Sequence, residues 1–97
     1  MITSKQRAKL RAMANTLRPA FQIGKDGIGE NLINQLDDLL EARELVKVTV
    51  LETALLSARE ACEECTEKLG AEPVQCIGLK FVMYRQAKNP KNRKIEI

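Results

Sequence analysis

Ninety-seven residues, 44% hydrophobic and 30% charged with a net charge of +3, suffice for one compact core, are too few for two ordinary domains, and argue against a wholly disordered chain. No run approaches the roughly 20 apolar residues of a membrane helix, and no signal-peptide apolar stretch follows the basic start, so a cytoplasmic protein with no membrane partner is expected. Three cysteines and no histidine speak against a disulfide framework and remove the usual metal ligand and general base, so reduced thiols, no metal and no cofactor are expected.

Thr3 and Gln6 have capping-box spacing, and Leu10, Met13, Ala14 and Leu17 then recur at three and four residues, so residues 4 to 17 read as an amphipathic helix. Lys5, Arg7, Lys9 and Arg11 spread around it, Lys5 and Lys9 one turn apart and Arg7 and Arg11 likewise. Pro19 stops the helix, and Ala20 to Ile23 reads as a strand with Phe21 and Ile23 on one face.

Gly24-Lys25-Asp26-Gly27 follows directly. Two glycines three apart between a strand and a helix make a tight turn whose backbone can approach a ligand closely. Leu32, Ile33, Leu36, Leu39 and Leu40 define a helix from about Glu30 to Arg43 that shows acids outward. Val46, Val48 and Val50 alternate with Lys47 and Thr49 in a half-buried strand over Leu45 to Leu51. Residues 55 to 69 read as a third helix, with Leu55, Ala58, Ala61, Cys62, Cys65 and Leu69 inward and Gly70 as its stop. Pro73 to Lys80 and Phe81 to Arg85 look like two more strands, with Gly78 either a bend between them or a bulge within one longer strand.

From Ala87 the chain turns polar and basic, and Lys88, Lys91, Arg93 and Lys94 are expected on a segment mobile until it meets a partner, with Ile95 and Ile97 as anchors. The expected architecture is a compact single α/β domain of order αβαβαββ, a roughly four-stranded mixed sheet packed with three helices. Residues 1–86 form its body and residues 87–97 a basic tail of the same domain.

Charge is segregated along the chain: residues 1–27 sum to +5, residues 28–72 to −7 and residues 73–97 to +5. Two basic ends that fold onto one face would suit a polyanion. Cys62-Glu63-Glu64-Cys65 has CxxC spacing, but both cysteines fall on an apolar helix stripe among acids, without a second pair or a histidine, so a structural role is expected. Phe21, Phe81 and Tyr84 are too few for a base-stacking sheet, with Tyr84 left open. No nucleophile motif suggests an enzyme.

The segments Thr3-Ser4-Lys5-Gln6-Arg7, Gln22-Ile23-Gly24-Lys25-Asp26-Gly27, Leu45-Val46-Lys47-Val48, Val74-Gln75-Cys76-Ile77-Gly78, Met83-Tyr84-Arg85 and Asn92-Arg93-Lys94-Ile95-Glu96 together resemble the CRM domain family in its single-domain YhbY type. The resemblance implies a four-stranded α/β fold, a glycine loop used on RNA, and a role in maturation of the large ribosomal subunit, with its ribosomal RNA or precursor particle as partner. Plant relatives of this kind act in intron splicing. Two departures stand out: Gly29 occupies a position where relatives commonly have Thr or Ser, and Asp26 places an acid inside the loop.

The RNA-binding residues expected on this reading are Gly24, Lys25, Asp26 and Gly27 in the loop, then Lys5, Arg7, Lys9, Arg11 and Arg18 on and after the first helix. Lys88, Lys91, Arg93 and Lys94 in the tail complete the set, and a monomer is the simplest state. The competing reading is a protein-interaction adaptor that uses the acidic helical surface around Asp37, Asp38, Glu63, Glu64 and Glu67. A weaker third is a thiol or zinc protein built on Cys62 and Cys65.

Overall fold

The computed structural model describes residues 2–97. Its first helix, α1 (Ser4–Ala14), begins with a complete capping box: Thr3 Oγ1 accepts from the Gln6 amide at 3.1 Å and Gln6 Oε1 accepts from the Thr3 amide at 2.8 Å. The helix ends three residues before the predicted Leu17. Pro19 pushes Arg18 toward extended backbone, and the intervening residues close a turn in which the Leu17 amide donates to the Ala14 carbonyl.

The strands are β1 (Phe21–Ile23), β2 (Leu45–Val50), β3 (Glu72–Ile77) and β4 (Lys80–Tyr84), and they form one sheet in the order β1-β2-β4-β3. β1 runs parallel to β2, connected through helix α2 (Glu30–Arg43), while β2–β4 and β4–β3 are antiparallel, so the sheet is mixed. The alternatives at Gly78 resolve into a hairpin. Gly78 takes φ +58° at the turn between β3 and β4, and a separate irregularity lies between Pro73 and Gln75.

Strand alternation sends side chains to two cores. Val46, Val48, Val50, Phe81 and Met83 pack under α2 and helix α3 (Ala58–Leu69), whereas Leu45, Val82 and Tyr84 face Leu10 and Ala14 of α1 together with Ile2, Ile95 and Ile97. The sheet is therefore a central layer with two helices on one side and one on the other. Tyr84 is buried in the second cluster and Phe81 in the first, which removes Tyr84 as an exposed stacking residue.

The third helix begins later than its apolar periodicity predicted. Ser57 and Glu60 form a capping box, each side chain accepting the other's backbone N–H at 3.0 Å, so α3 opens at Ala58 and Leu55 falls outside it. Leu55 follows a short 3-10 turn (Glu52–Ala54), lies in the left-handed region at φ +58°, and is 90% exposed instead of facing the core. A leucine pays for this conformation with strain that asparagine tolerates better. Leu55→Asn should raise the unfolding free energy by about 0.5–1 kcal/mol, read from a higher urea midpoint at constant slope; an unchanged or lower midpoint would show that the site is unstrained.

Candidate nucleic-acid interface

The glycine loop sits between the buried end of β1, Ile23, and α2. The Gly27 amide donates to the Gly24 carbonyl at 2.9 Å, closing a four-residue turn. The two glycines serve differently. Gly27 lies at φ +67°, which a side chain rarely adopts, while a Cβ on Gly24 would make only ordinary contacts with Leu51 at 3.7 Å and Thr53 at 3.9 Å. Lys25 and Asp26 are exposed at the tip.

Gly29 is the N-cap of α2, with extended backbone and no side-chain cap hydrogen bond. The amides of the first helical turn therefore lack the side-chain acceptor that Thr or Ser would supply, and they open onto the loop. Loop and helix start line a depression of about 560 Å³ together with Phe21, Gln22, Asn31 and Gln35. Phe21 is only half-buried and is the aromatic residue nearest this loop site. The charge around it is mixed, since Asp26 and Glu30 stand with Lys25.

The remaining expected cations do not all gather at the loop. Lys5, Lys9 and Arg11 are exposed on α1. Arg7 is half-buried and its Nε donates to the Pro73 carbonyl at 3.0 Å, which ties it to β3, the edge strand opposite the loop-bearing β1. Arg18 is exposed after α1 and meets Lys94 at a second depression of about 480 Å³ near the start of β1, where Arg43 and Lys47 join them. Charge along the sequence does not single out Arg43 and Lys47, because both lie within its acidic middle.

The C-terminal segment is folded onto the domain, contrary to the expectation of a mobile tail. Its peptide groups point at two carboxylates: Glu41 accepts from the amides of Lys88 at 2.8 Å and Asn89 at 3.0 Å and from the Asn92 side chain at 2.9 Å. Glu44 accepts from the amides of Ala87 at 2.7 Å, Lys94 at 2.7 Å and Ile95 at 2.9 Å. Lys88, Lys91 and Lys94 keep exposed side chains, and Arg93 directs its Nε to the Ala87 carbonyl at 2.9 Å. Composition alone could not reveal this, because five of the six donors are backbone N–H groups, which carry no sequence signature.

The Asn92 side chain and the Lys88 and Asn89 amides hold the Glu41 carboxyl down at about 2. Burial pushes the Glu44 carboxyl up, but its three amides and the charge of Arg93 together overcome this and leave it lowered. These contacts also account for part of the acidic middle. Glu41 and Glu44 hold the tail, and Asp37 binds Arg85 at 2.6 Å, while Asp38, Glu63 and Glu67 remain exposed.

Cys62 and Cys65 are buried and Cys76 is exposed. Burial, before any neighbouring charge, pushes the Cys62 thiol up to about 12 and the Cys65 thiol to about 11, so both are protonated at neutral pH and poor nucleophiles. Among the described residues no group of three or more His, Cys, Asp or Glu side chains is gathered for a metal, and no helix is long and apolar enough to cross a membrane.

Comparison with known proteins agrees with the fold. The chain is 39% identical over 97 residues to a Bacillus subtilis protein named probable RNA-binding protein YqeI, covering 100% of this chain and 99% of that one. It is 33% identical over 102 residues to a Methanocaldococcus jannaschii protein also named as a probable RNA-binding protein, covering 95% of this chain and 75% of the relative. A solution structure of a Staphylococcus aureus protein, described as a candidate RNA-binding protein, superposes with a TM-score of 0.71 at 42% identity, covering 99% of this chain and 100% of that one. The CRS1/YhbY (CRM) domain matches residues 2–85, and the chain belongs to that family.

Proposed function

We propose that this protein binds RNA without catalysis, docking on structured ribosomal RNA of a large-subunit precursor through the glycine loop and its basic surface. The observation that carries this reading is the turn at Gly24 to Gly27, which precedes an α2 start without a side-chain cap in a chain whose relatives bear RNA-binding names. Free first-turn amides and the positive end of a helix dipole favour a phosphate, and Lys25 adds a flexible charge. The KH module uses a glycine loop against RNA backbone in a similar way.

The cations Lys5, Lys9, Arg11 and Arg18, with Lys88, Lys91, Arg93 and Lys94 of the docked tail, would contact phosphates and position the RNA without reading its sequence. Arg7 contributes less on this reading, because its guanidinium already serves β3. Asp26 must turn away from the phosphate, which its place at the loop tip allows.

The test is binding of the purified protein to large-subunit ribosomal RNA precursors at two salt concentrations, with duplex DNA and the Lys25→Ala/Gly27→Asp variant alongside. RNA should be preferred over DNA. If about four phosphates are neutralised, a roughly fourfold rise in salt should weaken binding by about 50- to 150-fold. The folded loop variant should lose about tenfold in affinity. Absence of RNA binding at low salt would overturn the proposal, and unchanged affinity in the variant would remove the loop from it.

A further inference from the structure

We propose that the groove between the end of α1, the start of β2 and the C-terminal segment is a second RNA subsite, for an unstacked nucleotide in a single-stranded stretch. Its apolar floor takes the base, and its cationic rim takes the flanking phosphates. This rests on the RNA-binding reading and deepens it, since the glycine loop lies elsewhere.

Charge selects the ligand. Arg18, Arg43, Lys47 and Lys94 line the groove and no carboxylate does, in a chain that carries 13 acidic residues. The two ion pairs among the described residues involve none of these four cations. The loop depression differs, with Asp26 and Glu30 beside its lysine. An acid-free group of cations drawn from four separate segments suits a polyanion.

The floor selects the form of that polyanion. Met13 and Leu17 are 37% and 36% exposed, and Ala20, Leu45 and Ile95 continue the apolar surface beneath the cations. A duplex presents phosphates outward and keeps its bases stacked, so it gains nothing from such a floor. An unpaired base can lie on it, with a guanidinium of Arg18 or Arg43 over its other face.

The groove also continues across the sheet. Because α1 ends at Ala14, the sheet surface beyond it stays uncovered, and a neighbouring depression shares Lys47 and adds Lys80 over Ile77 and Val82, again without a carboxylate. In the other direction, Ala20 at the groove and Gly24 at the loop are four residues of extended chain apart, about 13 Å. One RNA strand can therefore follow the edge strand β1 from loop to groove.

The test compares the wild type with Arg43→Ala/Lys47→Ala, Leu17→Ser and Lys25→Ala on a short oligouridylate and on an RNA hairpin whose only loop is a compact, internally stacked tetraloop, over a salt series. The double variant should bind oligouridylate about tenfold more weakly with a salt slope about 1.4 less steep, the loss of two single-strand phosphate contacts. Leu17→Ser should weaken oligouridylate binding with the slope unchanged, and hairpin affinity should be nearly the same for both.

Amide shifts in the wild type on adding oligouridylate should include Leu17, Leu45, Lys47 and Ile95. Shifts confined to residues 24–31, or equal losses on hairpin and oligouridylate, overturn the subsite. If the wild type binds RNA and Lys25→Ala weakens it while the double variant binds as before, the groove falls and the RNA reading stands. If the wild type binds neither RNA, both fall.

Discussion

Replacing Glu44 by alanine is expected to lower the unfolding free energy by about 3 kcal/mol and to release the end of the C-terminal segment, Lys94 to Ile97, from the domain. Glu44 is fully buried, and its carboxylate serves three backbone amides between Ala87 and Ile95. Charge-assisted hydrogen bonds of this kind contribute more than neutral ones, and truncation leaves three N–H groups without acceptors. Part of the loss is recovered because the freed segment can meet water, which keeps the estimate well below the sum of three buried bonds.

Glu44 also sits at φ +66°, but alanine carries similar strain, so the difference reports the side chain. Glu44→Gln, with one acceptor oxygen and a donor that faces other donors, should cost about 2 kcal/mol. Urea unfolding and amide exchange at Lys94 and Ile95 would read both effects. Full protection of these amides in Glu44→Ala would show that Glu41 and the packing of Ile95 and Ile97 suffice to hold the tail.

Acid should detach the same segment in steps. The Glu41 and Glu44 carboxyls are both depressed in the folded state, so their contribution is present above the ordinary carboxylate range and is lost as the pH falls through their folded values. For Glu41 that window runs from about 4.5 down to about 2. Exchange at the Lys88 and Asn89 amides should therefore rise toward pH 2 while the sheet amides remain protected.

Arg85 is the second site of large expected effect. It leaves the end of β4 buried, and its Nη1 donates to Asp37 at 2.6 Å and to the Leu69 carbonyl at 3.1 Å, while Nη2 reaches the Asp37 carbonyl at 3.3 Å. One guanidinium thereby joins the middle of α2 to the end of α3. Its Nε is buried without a hydrogen-bond partner among the described residues, a cost that the other bonds must offset.

Removing the partner of a fully buried ion is strongly destabilising, but the Asp37 side chain is 45% exposed and can be hydrated once freed. Arg85→Ala should therefore cost about 2 kcal/mol, less than the loss of one partner from a fully buried pair. Arg85→Met keeps most of the packing and should recover about half of that. If methionine were no better than alanine in urea unfolding, polar bonding to Leu69 and Asp37 would account for the whole effect.

Local sequence rules account for most element starts and types in this protein. Thr3 with Gln6 placed the start of α1, the leucine spacing from Leu32 to Leu40 placed α2, and alternation from Val46 to Val50 placed β2, because each signal is contained within one or two turns or a single strand. The order αβαβαββ, the glycine turn and the family resemblance were equally legible. Ser57 with Glu60 also marks the start of α3 in the sequence, but the apolar spacing that runs back to Leu55 points to an earlier start and to a core that Leu55 does not enter.

What only the tertiary structure decided is the meeting of residues distant along the chain. Glu41 and Glu44 capture the tail through backbone amides that any sequence would offer, which turned an expected mobile segment into a fixed strap. Sheet order separates Arg7 from the loop and brings Arg43 and Lys47, surrounded in sequence by acids, beside Arg18 and Lys94. Charge summed along a chain records neighbours in sequence, whereas the field a ligand meets depends on which segments the strand order places side by side.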